Sequence, residues 1–100
     1  MQPPARLGLL HQPVRLRLMA LLHARGDVGA AGARAALGVT VGNLDAHARR
    51  LEEAGLLVAR KELLRSGFAA RYRITPAGRE AFGAYLAWLE AFLREARHGP

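Results

Sequence analysis

Residues 38–57, GVTVGNLDAHARRLEEAGLL, confine a helix at both ends. Gly38 permits a tight turn, and Thr40 can cap a helix by accepting from the N–H groups of its first turn. Gly55 stops the helix at the far end. The helix predicted between them, from about Val41 to Ala54, has a narrow inward stripe of Leu44, Ala48 and Leu51. Asn43, His47 and Arg50 recur at helical spacing away from that stripe. Glu52 and Glu53 stand near its C-terminal end, where the helix dipole disfavours them. Whatever the chain folds into must supply a core for the stripe and leave a broad polar face free.

The flanking segments can supply that core. Pro13 suits the first turn of a helix that carries Val14, Leu18, Leu21, Leu22 and Arg25 at three- and four-residue steps and ends at Gly26. Asp27 to Ala30 is short enough for only a very short strand. Ala31 to Leu37 is Ala-rich, which favours helix, whereas Gly29 and Gly32 oppose it; Ala33 and Leu37 are its core residues. Leu56–Leu63 and Phe68–Thr75 read as two strands joined through Arg65-Ser66-Gly67. Tyr72 and Ile74 share one face of the second strand, Arg71 and Arg73 the other. Thr75-Pro76 opens a last helix as cap and first residue. Its apolar positions, Phe82, Tyr85, Leu86, Leu89, Phe92, Leu93 and Ala96, form a wide stripe that Trp88 widens further.

Charge narrows the partners. The chain has 15 basic and 8 acidic residues, a formal charge of +7, and Lys61 is its only lysine. Such a surplus favours a polyanion: nucleic acid or an acidic membrane surface. A GC-rich genome would also raise the arginine content. No cysteine is present, which excludes a disulfide framework, a thiolate metal site and a cysteine nucleophile, and suits the cytoplasm. The first acidic residue is Asp27, so the N-terminus faintly resembles a transit peptide, but Arg15 and Arg17 interrupt any signal-peptide core. No apolar run approaches a membrane span, and no membrane partner is expected. One hundred residues suit one domain.

Three helices around a small core, with a hairpin at its edge, leave the third helix one free face. A helix about 10–12 Å across fits a DNA major groove about 12 Å wide. Three stretches carry a resemblance in the same order: HQPVRLRLMALL (11–22), LGVTVGNLDAHARRLEEAGLL (37–57) and YRITPAGREAF (72–82). The first two resemble the opening helix, turn and recognition helix of ArsR-type winged-helix regulators. The third is similar to the closing segment of MarR-type and small winged-helix DNA-binding proteins. The fold class the resemblance implies is mostly α with a small β-hairpin (α+β), a winged helix-turn-helix with a long C-terminal dimerisation helix. It divides a single domain, 1–100, into a helix-turn-helix over about 31–54, a wing over about 56–75 and the last helix over about 76–96.

The resemblance further implies a homodimeric transcriptional regulator of double-stranded DNA. It suggests recognition-helix contacts from Thr40, Asn43, His47 and Arg50, and wing contacts from Arg65 and Arg71. Val41 stands where many relatives carry a polar residue. Asn43 and Arg50 have the chemistry to read adenine and guanine edges. His47 flanks the apolar stripe, so packing and DNA contact are both open to it. Arg49 could touch phosphate or pair with Glu53. Arg60, Lys61, Arg65, Arg71 and Arg73 gather around the hairpin, suited to the sugar-phosphate backbone or the minor groove. Leu63, Leu64 and Phe68 are apolar for a hairpin tip, and some of them are expected to fold back on the body or on a partner.

The last helix is too long and apolar for a three-helix core to cover. Its stripe, Phe82, Tyr85, Leu86, Leu89, Phe92 and Leu93, is the expected dimer interface, with Leu7, Leu9 and Leu10 joining it. Two-fold symmetry then implies an inverted-repeat operator. His11, His23, His47 and His98 show no paired ligand spacing, so no metal or cofactor is expected. Asp45 and His47 project from different sides of a helix with no nucleophile beside them, so no enzyme is expected. A small-molecule effector has no domain of its own in these residues and would bind at the dimer interface or not at all. The competing reading is a winged-helix interaction module for RNA or a protein partner.

Overall fold

The structure, a computed structural model, describes residues 3–99; Met1, Gln2 and Pro100 of the expected domain lie outside them. Its elements run from a 3₁₀ turn (Ala5–Leu10) through α1 (Pro13–Arg25), β1 (Asp27–Gly29), α2 (Ala30–Leu37) and α3 (Val41–Glu53) to β2 (Leu57–Leu64), β3 (Gly67–Ile74) and α4 (Pro76–His98). Three of the four α-helix starts have a side-chain cap; α2 begins at Gly29 without one. The Gln12 side chain accepts from Arg15 N–H and Pro13 follows it; Thr40 accepts from Asn43 N–H; Thr75 accepts from Gly78 N–H, with Pro76 at the first position. The Ala-rich segment does form a helix, and it ends on Gly38 in the left-handed region, φ 67°.

Leu18, Met19 and Leu22 of α1 meet Ala33 and Leu37 of α2 and Leu44, Ala48 and Leu51 of α3 in one buried core. Truncating one such leucine typically costs about 2–5 kcal/mol. The stripe read from the sequence is therefore the buried stripe of α3. Leu7 and Leu10 of the 3₁₀ turn belong to the same core, and Leu9 packs partly against it. The expectation that these leucines join an interface is corrected for Leu7 and Leu10. The turn folds them under α1 and α4, which it contacts.

The sheet has three antiparallel strands in the order β1-β3-β2. The hairpin pairs Leu64 with Gly67, so its turn is the two residues Arg65 and Ser66. The third strand, β1, pairs Asp27 with Arg73 and Gly29 with Arg71. Leu57, Tyr72 and Ile74 face the core as the alternation predicts. Leu63 and Phe68 lie opposite each other near the tip, 72% and 73% exposed. They continue the core-facing side of the sheet and stay largely exposed, although Phe68 borders a cleft with Val41 and Leu44 of α3.

Two bonds between side chain and backbone close the end of α3 against the hairpin. The Ala59 N–H donates to Glu52 Oε2 at 2.9 Å, and Thr75 Oγ1 donates to the Gly55 carbonyl at 2.6 Å. Glu52, poorly placed for the dipole, thus satisfies a backbone donor of β2, an edge strand.

Candidate nucleic-acid interface

Asn43 and Arg50 lie exposed on the flank of α3, away from the buried Leu44, Ala48 and Leu51. Thr40 is exposed too, but its hydroxyl already accepts from Asn43 N–H at 3.1 Å. That bond fixes the entry to the helix and leaves the Asn43 amide group free of any partner among the described residues. A free carboxamide offers a donor and an acceptor side by side, the pattern that matches adenine N7 and N6.

His47 is half-buried, and Arg15 of α1 lies over it, Nη1 to Nδ1 at 3.3 Å. Arg15 is itself tied down by donating from Nε to the Leu9 carbonyl at 2.6 Å. Burial, then the charges of Arg15 and Arg50, push the His47 imidazole below its ordinary pKa. Burial and Arg50 also lower Arg15. Arg15 was not among the expected site residues; its link to His47 spans 32 positions and follows no helical or strand period.

Arg65 stands exposed in the turn of the hairpin, with no carboxylate in ion-pair range among the described residues. Lys61 is exposed further down β2. Arg71 has a different position. It sits in the central strand, its Nε against Asp27 Oδ1 and its Nη1 3.6 Å from Glu62. Arg60 and Arg73 converge on the same Asp27 carboxylate at 2.7 and 3.3 Å. Arg71, one of the two expected wing contacts, lies on the sheet face beside two carboxylates. Arg49 pairs with Asp45 at 3.1 Å, one turn back, rather than with Glu53.

The hydrogen bond from Arg60, reinforced by Arg73 and by the charges of Arg60 and Arg71, holds the Asp27 carboxyl below the usual carboxylate range. A carboxyl lowered in the folded state adds stability above its unfolded pKa, about 4, and loses it as the pH falls through the folded value. Denaturant midpoints measured at about pH 5 and pH 3 should therefore fall more in the wild type than in Asp27→Asn. Equal acid losses in the two proteins would mean that the arginine cluster does not couple to folding.

On α4, Phe82 and Tyr85 are 6% and 2% exposed and belong to the chain's own core. Tyr85 is hydrogen-bonded to His11 Nδ1 at 2.8 Å. These two members of the expected dimer stripe are covered already. Leu86 and Leu93 are 37% and 40% exposed, Leu89 and Phe92 are half-buried, and Trp88 stacks on Phe92 with centroids 5.6 Å apart. The outer half of α4 thus carries an apolar face that the body does not cover. Among the described residues, no helix is long and apolar enough to cross a membrane, and no three His, Asp or Glu side chains gather as a metal site.

A family model described as "Winged helix DNA-binding domain" matches residues 14–93. An uncharacterized protein of Methanocaldococcus jannaschii is 30% identical over 80 residues, 80% of this chain and 87% of that protein. The solved structure of a transcriptional regulator homologue from Pyrococcus horikoshii is 32% identical with a TM-score of 0.81, over 88% of this chain and 87% of that one. The homodimeric winged helix-turn-helix DNA-binding domain of a possible ArsR-family transcriptional regulator from Mycobacterium bovis is 26% identical with a TM-score of 0.71, over 96% and 85%.

Proposed function

The chain belongs to the winged helix DNA-binding domain family, and from that premise we propose that it is a homodimeric transcriptional regulator that binds a specific sequence of double-stranded DNA. In this reading residues 1–100 act as one DNA-binding domain without enzymatic activity. α3 enters the major groove, and the wing lies along the backbone or in the minor groove. The observation that carries it is the exposed polar side of α3, where the Asn43 amide has no partner among the described residues, together with Arg65 at the hairpin tip, which has no carboxylate in ion-pair range among them. Thr40 acts first as the cap that sets the helix and can add a phosphate contact. Arg50 reaches an acceptor such as guanine N7 or O6. Arg71 contributes by holding β1 to the sheet.

The two kinds of contact should fail differently. Asn43→Ala should change the preferred base at one position; a lost bidentate pair is worth about 1–3 kcal/mol of discrimination. Arg65→Ala should weaken all duplexes alike and lower the salt slope by about one per lost phosphate contact. The measurement is a binding series on a site selected from a random pool, on its single-base variants and on a random duplex, with RNA as a further arm. Equal weakening of every duplex by Asn43→Ala would remove α3 as the base reader. Preference for RNA would favour the interaction-module reading.

The dimer rests on the outer half of α4. Leu86, Leu89, Phe92 and Leu93 are the residues left to meet a second copy, and fully burying such a side chain is worth about 1.5–3 kcal/mol. The homodimeric Mycobacterium bovis domain supports this arrangement. A symmetric pair would set two recognition helices about 34–36 Å apart, one DNA turn, on an inverted repeat. Leu93→Glu places a charge at an exposed position and leaves the core intact. It should give a folded monomer by light scattering at micromolar concentration, with unchanged helical circular dichroism. A wild-type monomer under the same conditions would end the dimer proposal.

A further inference from the structure

His47 has two ring nitrogens, and the fold engages one of them. The nitrogen is Nδ1, 3.3 Å from Arg15 Nη1. A guanidinium has donors and no acceptor. Nδ1 must then carry its lone pair, and the ring's proton resides on Nε2. A doubly protonated ring would have no acceptor for Arg15 and would set a third cation beside Arg15 and Arg50. Those two arginines, one on α1 and one on α3, are the charged groups that act on the ring. Arg15 cannot readily swing away, because its Nε is held by the Leu9 carbonyl at 2.6 Å. That carbonyl belongs to the 3₁₀ turn that Leu7 and Leu10 anchor in the core.

The other nitrogen is open. Nε2 has no hydrogen-bond partner among the described residues, and it is not among their buried, unpartnered side-chain atoms. His47 follows Asn43 by one helical turn, on the same side of α3. We propose that Arg15 is a positioning residue that locks His47 in the Nε2–H tautomer and so makes it a hydrogen-bond donor toward an acceptor base edge. The inference rests on α3 being the base-reading helix. A fixed donor suits guanine N7 or O6, adenine N7 or thymine O4, and is mismatched to the cytosine amino group. Arg15, which touches no base in this scheme, thereby sets what His47 reads.

The tautomer is measured directly on the free protein, by long-range proton–nitrogen correlation of the histidine rings near neutral pH. His47 should show Nε2 protonated and Nδ1 bare. Arg15→Ala should give a mixture of tautomers and a higher His47 titration point, because a neighbouring cation is gone. Arg15→Lys, which can still only donate, should restore the single tautomer. On the selected DNA, His47→Ala and Arg15→Ala should each relax preference at one common base pair by about three- to tenfold, the worth of one hydrogen bond. The double variant should relax it no further than His47→Ala alone.

Protonated Nδ1 in the wild type, or a tautomer unchanged in Arg15→Ala, would overturn the proposal. So would additive losses in the double variant. Asn43→Ala separates this failure from failure of the wider reading. If it shifts base preference and His47→Ala does not, only the role of His47 is lost. If neither shifts it, α3 is not the reader and the inference falls with it. Helical circular dichroism of Arg15→Ala and Arg15→Lys checks that both fold.

Discussion

Raising the salt from 50 to 200 mM should weaken binding to duplex DNA by about 10³–10⁵-fold. That span corresponds to about 6–10 phosphate contacts per dimer, each releasing condensed counterions when a cation replaces them. The net charge of +7 per chain makes such a number accessible, but not every arginine contributes to it. Arg60, Arg71 and Arg73 share Asp27, Arg71 also lies near Glu62, and Arg49 pairs with Asp45. Among the described residues, Arg50, Lys61 and Arg65 have no carboxylate in ion-pair range, and they lie on α3 and the hairpin. Anisotropy titrations of a labelled duplex across that salt range should give a log–log slope of about −5 to −9. A flat response would remove backbone electrostatics from the mechanism.

Gly78→Ala should destabilise the protein by about 3 kcal/mol or more, the upper end of overpacking costs. A Cβ at this position would fall well inside contact distance of the Leu56 carbonyl oxygen and 3.0 Å from Ile74 Cγ1. The carbonyl cannot yield freely, since it accepts from Thr75 N–H at 3.2 Å. Thr75 in turn donates to the Gly55 carbonyl and accepts from Gly78 N–H. Relief would require the first turn of α4 to lift from the end of α3 and the start of β2. For a domain of this size the cost amounts to a fall in Tm of roughly 12–24 °C. Gly83→Ala is the control. Nothing lies within 4 Å of a Cβ there, so in mid-helix it should raise stability by up to about 1 kcal/mol. If Gly78→Ala melts with the wild type, the close approach of α4 to Leu56 is not part of the folded protein.

Gly78 shows how resemblance and physics meet. It is the glycine of the Tyr72–Phe82 segment that is similar to the closing segment of winged-helix proteins, and the structure supplies its reason. Other features were readable without any relative. The bounds of α3 follow from Thr40, Gly38 and Gly55, and the start of α4 from Thr75-Pro76. The Ala-rich stretch became a helix despite its glycines because Ala33 and Leu37 are buried against α1 and α3. Tertiary burial outweighed a weak intrinsic preference there.

What the sequence by itself determined is therefore the set of α-helices and strands and the two faces of α3. Caps, stops and apolar periods act within a few residues, so their pattern is visible in the chain. What only the tertiary structure decided is which groups remain free for a partner. Asp27 draws Arg60, Arg71 and Arg73 together from 33 to 46 positions away. The 3₁₀ turn takes Leu7 and Leu10 into the core, and Phe82 and Tyr85 are covered where Leu86 and Leu93 are not. Arg15 meets His47 only because α1 crosses α3. These pairings set the charge, tautomer and exposure of the functional groups. They depend on where distant segments pack, and no local spacing encodes that.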